Sequence, residues 1–409
     1  MDVADQAILE LEERLRRYPP EQFPVQHATA RFHLGVLLTN AGQLEEAETA
    51  LETSARLFDS DRLPVEHAKA LNALGAAQRQ RGRLEEAAET FRAAAAVFET
   101  TGHPLEEGAA RFNLGLVERA RGRDDSARSA LIRARELIDP QRAPRQAAAA
   151  ARELGATMLA AGEVDAALAV LEEAAELAGQ GADEAELGAV RNALGLARLA
   201  SGDLSGAVEA FRAAVGSHPR SVRPEEYAMA KANLAVALEE AGEAPRARLA
   251  ARQALGVRGT PPAVAAQTAA VLERLGPAAD DLLVVLDHEP AEQWPSLVRE
   301  ELVRWVDLEP ADREAEAEAW VEGQLARPEH ALELAESWLG GLLELPPEAM
   351  EVVIRSTLAA LGPRGAEQRE RFRSDVLSAA ARFHVPQLTR LKDTFERLSR
   401  ELGLELSWT

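Results

Sequence analysis

Cysteine is absent from this 409-residue chain. A disulfide framework, a thiolate metal site and a cysteine nucleophile are therefore excluded. Aromatic residues are scarce, at 4%, and all five tryptophans lie between residues 294 and 408. Alanine, leucine, glutamate and arginine, which favour helices, dominate instead, so the composition predicts an all-α fold.

Positive charge is in deficit, with 46 lysines and arginines against 68 acids and a formal net charge of −22. This balance argues against generic binding to nucleic acid or to an anionic membrane. Long apolar runs are also missing, because the least polar stretch, residues 262–272, contains Gln267 and is too short to span a bilayer. Asp2 and Asp5 stand where a signal peptide carries basic residues, so we expect no signal peptide and a cytoplasmic protein.

What the chain does contain is a repeat with a spacing of 40 residues. Leu-Gly stands at 34–35, 74–75, 114–115, 154–155 and 194–195, a second glycine follows at 42, 82, 122, 162, 202 and 242, and an alanine follows at 47, 87, 127, 167, 207 and 247. Leu34 and Leu38 lie one helical turn apart, and Ala47 and Leu51 repeat that spacing after the second glycine. Each unit is therefore predicted to be a pair of helices.

Proline and glycine mark the ends of these helices. Proline stands at 24, 64, 104, 144 and 224, where it suits the first helical residue because that position needs no N–H group. The fifth unit has Asp183 instead, which predicts a side-chain N-cap. Gly42 suits the left-handed residue at which the chain leaves the first helix. Gly35 lets two helix backbones approach closely, so a bulky residue there is expected to overpack at a cost of roughly 1–3 kcal/mol.

These features resemble the tetratricopeptide repeat family. The segments "LNALG" at 71–75 and "RNALG" at 191–195 are similar to its longer-repeat branch, typified by kinesin light chains, whose units exceed the usual length of about 34 residues. The resemblance implies a right-handed α-solenoid of helix hairpins followed by a helical C-terminal domain. We expect an N-terminal capping helix in 1–23, six 40-residue repeats in 24–257 and an all-helical domain in 262–409, with a boundary near 258–263.

The resemblance also implies a concave groove lined by the first helix of each unit. The expected groove residues are Phe32, Val36, Thr39, Asn40, Lys69, Asn72, Arg79, Gln80, Phe112, Leu116, Arg119, Arg152, Ala156, Leu159, Asn192, Leu196 and Leu199. Its middle holds four cations with few acids, and the amides of Asn72 and Asn192 can bond to a peptide backbone. We therefore expect an acidic or extended peptide as ligand, the alternative being solvated helix positions without a ligand.

The region beyond residue 260 resembles no family. Its proline, glycine and capping signals predict helices at 262–275, 291–307, 310–326, 328–343, 347–361, 364–383 and 386–402, while 280–288 fits a short helix or a strand. The region either continues the solenoid with divergent helix pairs or forms a separate cap. Its acidic excess also allows a contact with the basic groove of the same chain.

No motif predicts catalysis. The chain has no glycine-rich phosphate loop, no HExxH and no GxSxG. Asp287, His288 and Glu289 form the densest triplet of acid, base and ligand types, but adjacent residues point apart and their spacing does not fit a metal site. We therefore expect neither a cofactor nor a bound metal.

Three functions are compatible with these patterns. The leading hypothesis is a non-enzymatic scaffold or adaptor that binds a protein or peptide partner, and neither nucleic acid nor membrane. The second is a regulatory sensor whose repeats bind a small ligand or peptide and control an effector through the C-terminal domain. The third, an enzyme with a C-terminal site, is least favoured because no polar set converges there. The sequence leaves the oligomeric state open.

Overall fold

The computed structural model describes residues 3–181, 183–278 and 280–408. The chain divides into two compact units, Met1–Gly202 and Asp203–Thr409. Throughout the described ranges, every regular element is a helix, so the all-α prediction is confirmed.

The described residues of the first unit form ten helices. They are α1 (Val3–Arg17), α2 (Pro24–Asn40), α3 (Leu44–Leu57), α4 (Pro64–Gln80), α5 (Leu84–Thr101), α6 (Pro104–Ala120), α7 (Asp124–Leu137), α8 (Pro144–Ala160), α9 (Val164–Gln180) and α10 (Glu184–Ser201). Short turns pair α2 with α3, α4 with α5, α6 with α7 and α8 with α9, and each hairpin packs on the next. Helix α1 packs on α2 and buries Leu11 beside Leu34 and Leu51.

The described residues of the second unit form the remaining α-helices. They are α11 (Leu204–Ser217), α12 (Pro224–Glu240), α13 (Ala244–Leu255), α14 (Pro262–Leu275), α15 (Asp281–Leu286), α16 (Trp294–Asp307), α17 (Pro310–Ala326), α18 (Ala331–Glu344), α19 (Pro347–Leu361), α20 (Ala366–Ala380) and α21 (Val385–Glu401). The segment 280–288 thus contains a helix and no strand. The other predicted helices of this region are confirmed, with ends that differ by three residues or fewer.

The helix ends follow the sequence signals. Prolines occupy the first helical position of α2, α4, α6, α8 and α12. At the start of α10, the Asp183 carboxylate accepts hydrogen bonds from the backbone N–H of Ala185 at 3.0 Å and Glu186 at 3.1 Å, as a side-chain cap does. The chain leaves α4 at Gly82, which has a φ of +83°. This value lies in the left-handed region, which glycine adopts without strain.

The helices of one hairpin approach each other through the glycine of the Leu-Gly pair. A Cβ added to Gly115 lies only 2.6 Å from Cγ of the buried Leu131. Gly35, Gly75 and Gly155 meet Leu51, Phe91 and Leu171 in the same way. The repeat therefore places one glycine and one large residue face to face in each of these hairpins.

Helices of the second unit pack differently beyond α13. Helix α14 packs on α12 and α13, and α15 packs on α13. From α16 onward, alternate helices pair: α16 with α18 and α20 along one row, and α17 with α19 and α21 along the other. One continuous core fills this stack and holds Trp305, Trp320 and Trp338. Trp408 also belongs to this core, and its ring stacks on the ring of Phe395 with the two centroids 4.5 Å apart.

A buried polar chain joins the sixth repeat to the C-terminal helices inside the second unit. Lys231 of α12 donates to Gln253 of α13 at 2.6 Å, and Gln253 donates to Glu301 of α16 at 2.8 Å. Arg304 then donates to Glu301 at 2.9 Å and to Glu316 of α17 at 2.6 Å. The compact units are divided at residue 202, inside the fifth repeat. The domain limits 1–23, 24–257 and 262–409, with a boundary near 258–263, stay a prediction.

Candidate functional site

Three successive first helices of the first unit, α2, α4 and α6, together with Phe98 of α5, line a partly open cavity of about 340 Å³. It is lined by Phe32, Val36, Thr39, Asn40, Lys69, Asn72, Ala73, Ala76, Gln80, Phe98, Glu106 and Ala109. Several of these residues are 40 apart in sequence, such as Phe32 with Asn72 and Asn40 with Gln80. Equivalent positions of successive repeats therefore face one space.

The cavity combines an apolar floor with amide groups. Phe32 and Val36 are half-buried, and Asn40 and Gln80 are exposed. Asn72 accepts a hydrogen bond from Asn113 Nδ2 at 3.3 Å through its Oδ1 atom, which leaves its own amide N–H groups as donors. Side-chain amides both donate and accept, so this set matches the alternating groups of an extended peptide backbone.

Two opposite charges lie on the rim of this cavity. Lys69 is exposed, and it makes no ion pair with any residue of the described part of the chain. Glu106 of α6 lies on the same lining and is half-buried. A carboxylate placed beside Lys69 would gain a charge-assisted hydrogen bond without breaking an existing pair.

The cavity contains seven of the seventeen groove residues expected from the sequence. They are Phe32, Val36, Thr39, Asn40, Lys69, Asn72 and Gln80. Thr39 is buried, and its hydroxyl donates a hydrogen bond to the Gly35 carbonyl oxygen of the same helix at 2.8 Å. This hydroxyl is therefore used within α2.

The other expected groove residues do not line this cavity. They are Arg79, Phe112, Leu116, Arg119, Arg152, Ala156, Leu159, Asn192, Leu196 and Leu199. Phe112 is half-buried and packs against the cores around α7, α8 and α9, whereas Leu196 is exposed. Asn192 is buried. Their role in ligand binding stays a prediction.

The expectation of few acids in the middle of the groove needs a correction. Glu153, which is buried, pairs with Arg119 at 2.7 Å and with Arg152, and Arg152 also pairs with Glu186 at 2.7 Å. Burial lowers the pKa of Arg152, but Glu153 and Glu186 outweigh it and hold this pKa above its ordinary value. Two of the four expected cations are therefore already neutralised. Glu153 stands next to Arg152 in sequence, and this adjacency is a signal from which one of the two pairs of Arg152 could have been expected.

Asp287, His288 and Glu289 serve separate structural contacts in the second unit. Asp287 accepts from Arg327 at 2.7 Å, and Glu289 pairs with Arg246. His288 Nδ1 lies 2.8 Å from the Val284 carbonyl oxygen. The three side chains thus have different partners. Nowhere in the described ranges do three histidines or acids come together as metal ligands.

No described helix combines the length and the apolar character that crossing a bilayer requires.

Comparison with known proteins identifies the repeats. The family model described as tetratricopeptide repeat matches residues 41–104, 73–144 and 192–264. The chain therefore carries tetratricopeptide repeats. No curated protein matches the chain significantly.

Several solved structures have a related arrangement of helices. BtubC (BKLC) from P. vanneervenii has 18% identity and a TM-score of 0.45, covering 52% of this chain and 87% of that chain. A Rap protein complexed with Competence and Sporulation Factor has 14% identity and a TM-score of 0.47, covering 97% and 94%. The apo form of the quorum sensor NprR from B. thuringiensis has 11% identity and a TM-score of 0.48, covering 86% and 97%. At these TM-scores, no function is transferred to this chain.

Proposed function

We propose that the chain is a non-enzymatic interaction scaffold that binds an extended segment of a partner protein in the cavity between α2, α4 and α6. The observation that carries the proposal is the convergence of equivalent repeat positions on one cavity, which has amide groups and a lysine without an ion pair to the described residues. Tetratricopeptide repeats, which the chain carries, stack into extended concave binding surfaces.

Each part of the cavity has a role in this binding. The amides of Asn40, Asn72 and Gln80 hydrogen-bond to the ligand backbone, and Phe32 with Val36 takes an apolar side chain. Lys69 selects a carboxylate at the neighbouring ligand position. The ligand is therefore an extended segment that carries an acidic residue next to an apolar one.

The test begins with a library of random dodecapeptides displayed on phage and selected on the full chain. The Kd of the best synthetic peptide is then measured by fluorescence anisotropy. Each lost hydrogen bond costs about 0.5–1.5 kcal/mol, so the double variant Asn40→Ala and Asn72→Ala is expected to bind about tenfold or more weakly.

The matched control replaces two exposed amides outside the cavity, Gln43→Ala and Gln141→Ala. It is expected to change the Kd by less than about twofold, since surface changes away from a site have small effects. Equal Kd values for the cavity variant and the control refute the proposal, as does a selection that enriches no peptide. Far-ultraviolet circular dichroism verifies that both variants keep their helices.

A further inference from the structure

A second cavity, of about 760 Å³, lies within the second unit. It is formed by the end of α11, the connection to α12, the end of α13 and one face of α16. Four arginines reach its lining, Arg212, Arg220, Arg258 and Arg299, against two acids, Glu300 and Asp307. In a chain with a net charge of −22, this cavity is a local excess of positive charge.

Both acids of the cavity are already neutralised. Glu300 accepts from Lys231 Nζ at 2.7 Å and from the Tyr227 hydroxyl. Burial raises the pKa of Glu300, but Lys231 and Tyr227 outweigh it, so this pKa lies below its ordinary value. Asp307 accepts from Arg258 at 2.6 Å and from Arg220 at 3.2 Å. The two carboxylates therefore have cationic partners inside the protein.

Hydrogen-bond donors remain after these pairs are formed. Arg212 is exposed and makes no ion pair with the residues that the structure describes. The Nη1 atom of Arg220 is buried and has no hydrogen-bond partner within those residues. In the described part of the chain, Arg299 pairs only with Glu344, at 3.0 Å, and both side chains are at least half exposed. A buried N–H group without a partner costs free energy, which an acceptor from a ligand removes.

Apolar side chains complete the lining, among them Val215, Val257 and Val303. The volume lies in the range of about 300–1,000 Å³ that holds organic ligands, far above the roughly 30 Å³ that a water occupies in the liquid. Arginine binds carboxylates in a planar, bidentate geometry. The cavity thus matches a segment that presents carboxylates together with an apolar side chain.

We propose that this second cavity binds an acidic segment of a partner protein, with carboxylates on Arg212, Arg220 and Arg299 and an apolar side chain against Val215 and Val303. This site is additional to the cavity between α2, α4 and α6 and shares no residue with it. The scaffold then has one peptide site in each compact unit.

The experiment uses the full chain and a fluorescein-labelled peptide of four glutamates, two leucines and terminal glycines. A counterpart with glutamine in place of each glutamate is the control ligand. Anisotropy titrations are expected to show saturable binding of the glutamate peptide and at least about tenfold weaker binding of the glutamine peptide. Binding is also expected to weaken as salt is added, because ion pairs at a partly open cavity are screened.

The variants test the position of the site. The double variant Arg212→Glu and Arg299→Glu is expected to weaken binding by about tenfold or more. The charge-matched variant Arg142→Glu and Arg400→Glu, at exposed positions outside the cavity, is expected to stay within about twofold. The variant Lys69→Glu removes the cation of the first-unit cavity, so the binding that remains in this background reports the second cavity, and it is expected to saturate.

Four outcomes overturn the inference: no saturation by about 1 mM, equal binding of the two peptides, equal losses in the two double variants, or no saturable binding left in Lys69→Glu. The last outcome places the acidic peptide in the first-unit cavity and so supports the proposed function while refuting this one. Tryptophan fluorescence verifies folding of the second unit, which holds all five tryptophans.

Discussion

Replacing Gly115 by alanine tests the close approach of paired helices. The added Cβ lies 2.6 Å from Leu131 Cγ, 2.8 Å from Leu131 Cδ2 and 3.4 Å from the Ala127 carbonyl oxygen. Leu131 is fully buried, so it cannot move aside into solvent. Gly179 in α9 is the matched control, because nothing lies within 4 Å of its added Cβ.

Both substitutions gain helix propensity, but only Gly115→Ala has a packing cost. Alanine in place of glycine in a helix gains up to about 1 kcal/mol. Overpacking costs about 1–3 kcal/mol, so Gly115→Ala is expected to destabilise the chain by up to about 2 kcal/mol. Gly179→Ala near a helix end is expected to stabilise it by about 0.5 kcal/mol.

Urea unfolding followed by circular dichroism at 222 nm measures both changes. The midpoint is expected to fall for Gly115→Ala and to rise for Gly179→Ala, with similar slopes. Tryptophan fluorescence is unsuitable for this comparison, because every tryptophan lies in the second unit. Equal increases in the two midpoints would show that the helices do not depend on this glycine.

Three further changes concern the second unit, each measured by fluorescence-detected unfolding. Gln324 is fully buried and neither amide atom has a hydrogen-bond partner among the described residues, so Gln324→Met is expected to stabilise by about 1 kcal/mol; destabilisation refutes this. Asp281 is 1% exposed and holds Arg248 and Arg252 at 2.7 Å, so Asp281→Asn is expected to cost about 3 kcal/mol; a cost below about 1 kcal/mol contradicts it. The hydrogen bond from Arg327 holds the pKa of Asp287 below its usual 3.8. The stabilisation of the fold by this ion pair is therefore present above about pH 4, and it is lost as the pH falls through the lowered pKa of Asp287. The Tm difference between wild type and Arg327→Gln should therefore shrink below about pH 4, and a constant difference argues against the pair.

Local signals made most of the first unit predictable. The prolines at the starts of helices, the Asp183 cap and the left-handed turn glycines act within one helical turn, so each was visible in the sequence. The period of 40 residues then placed Phe32 and Asn72 at equivalent positions, and both line the same cavity.

Contacts between distant residues were not predictable in this way. Glu153 lies on another helix than Arg119 and forms an ion pair with it. No spacing within the repeat predicts that pair. The second cavity brings Arg212 and Arg299 together from helices far apart in sequence. The pairing of alternate helices beyond α16 also depends on tertiary packing, because the predicted helix boundaries there are compatible with several stacks.

Hydrogen–deuterium exchange of the full chain, with and without the selected dodecapeptide, tests the scaffold function most directly. Binding between α2, α4 and α6 predicts slower exchange in segments 24–40, 64–80 and 104–120, and unchanged exchange in 347–401. Slower exchange confined to 347–401, with no change in those three helices, would contradict the proposed function.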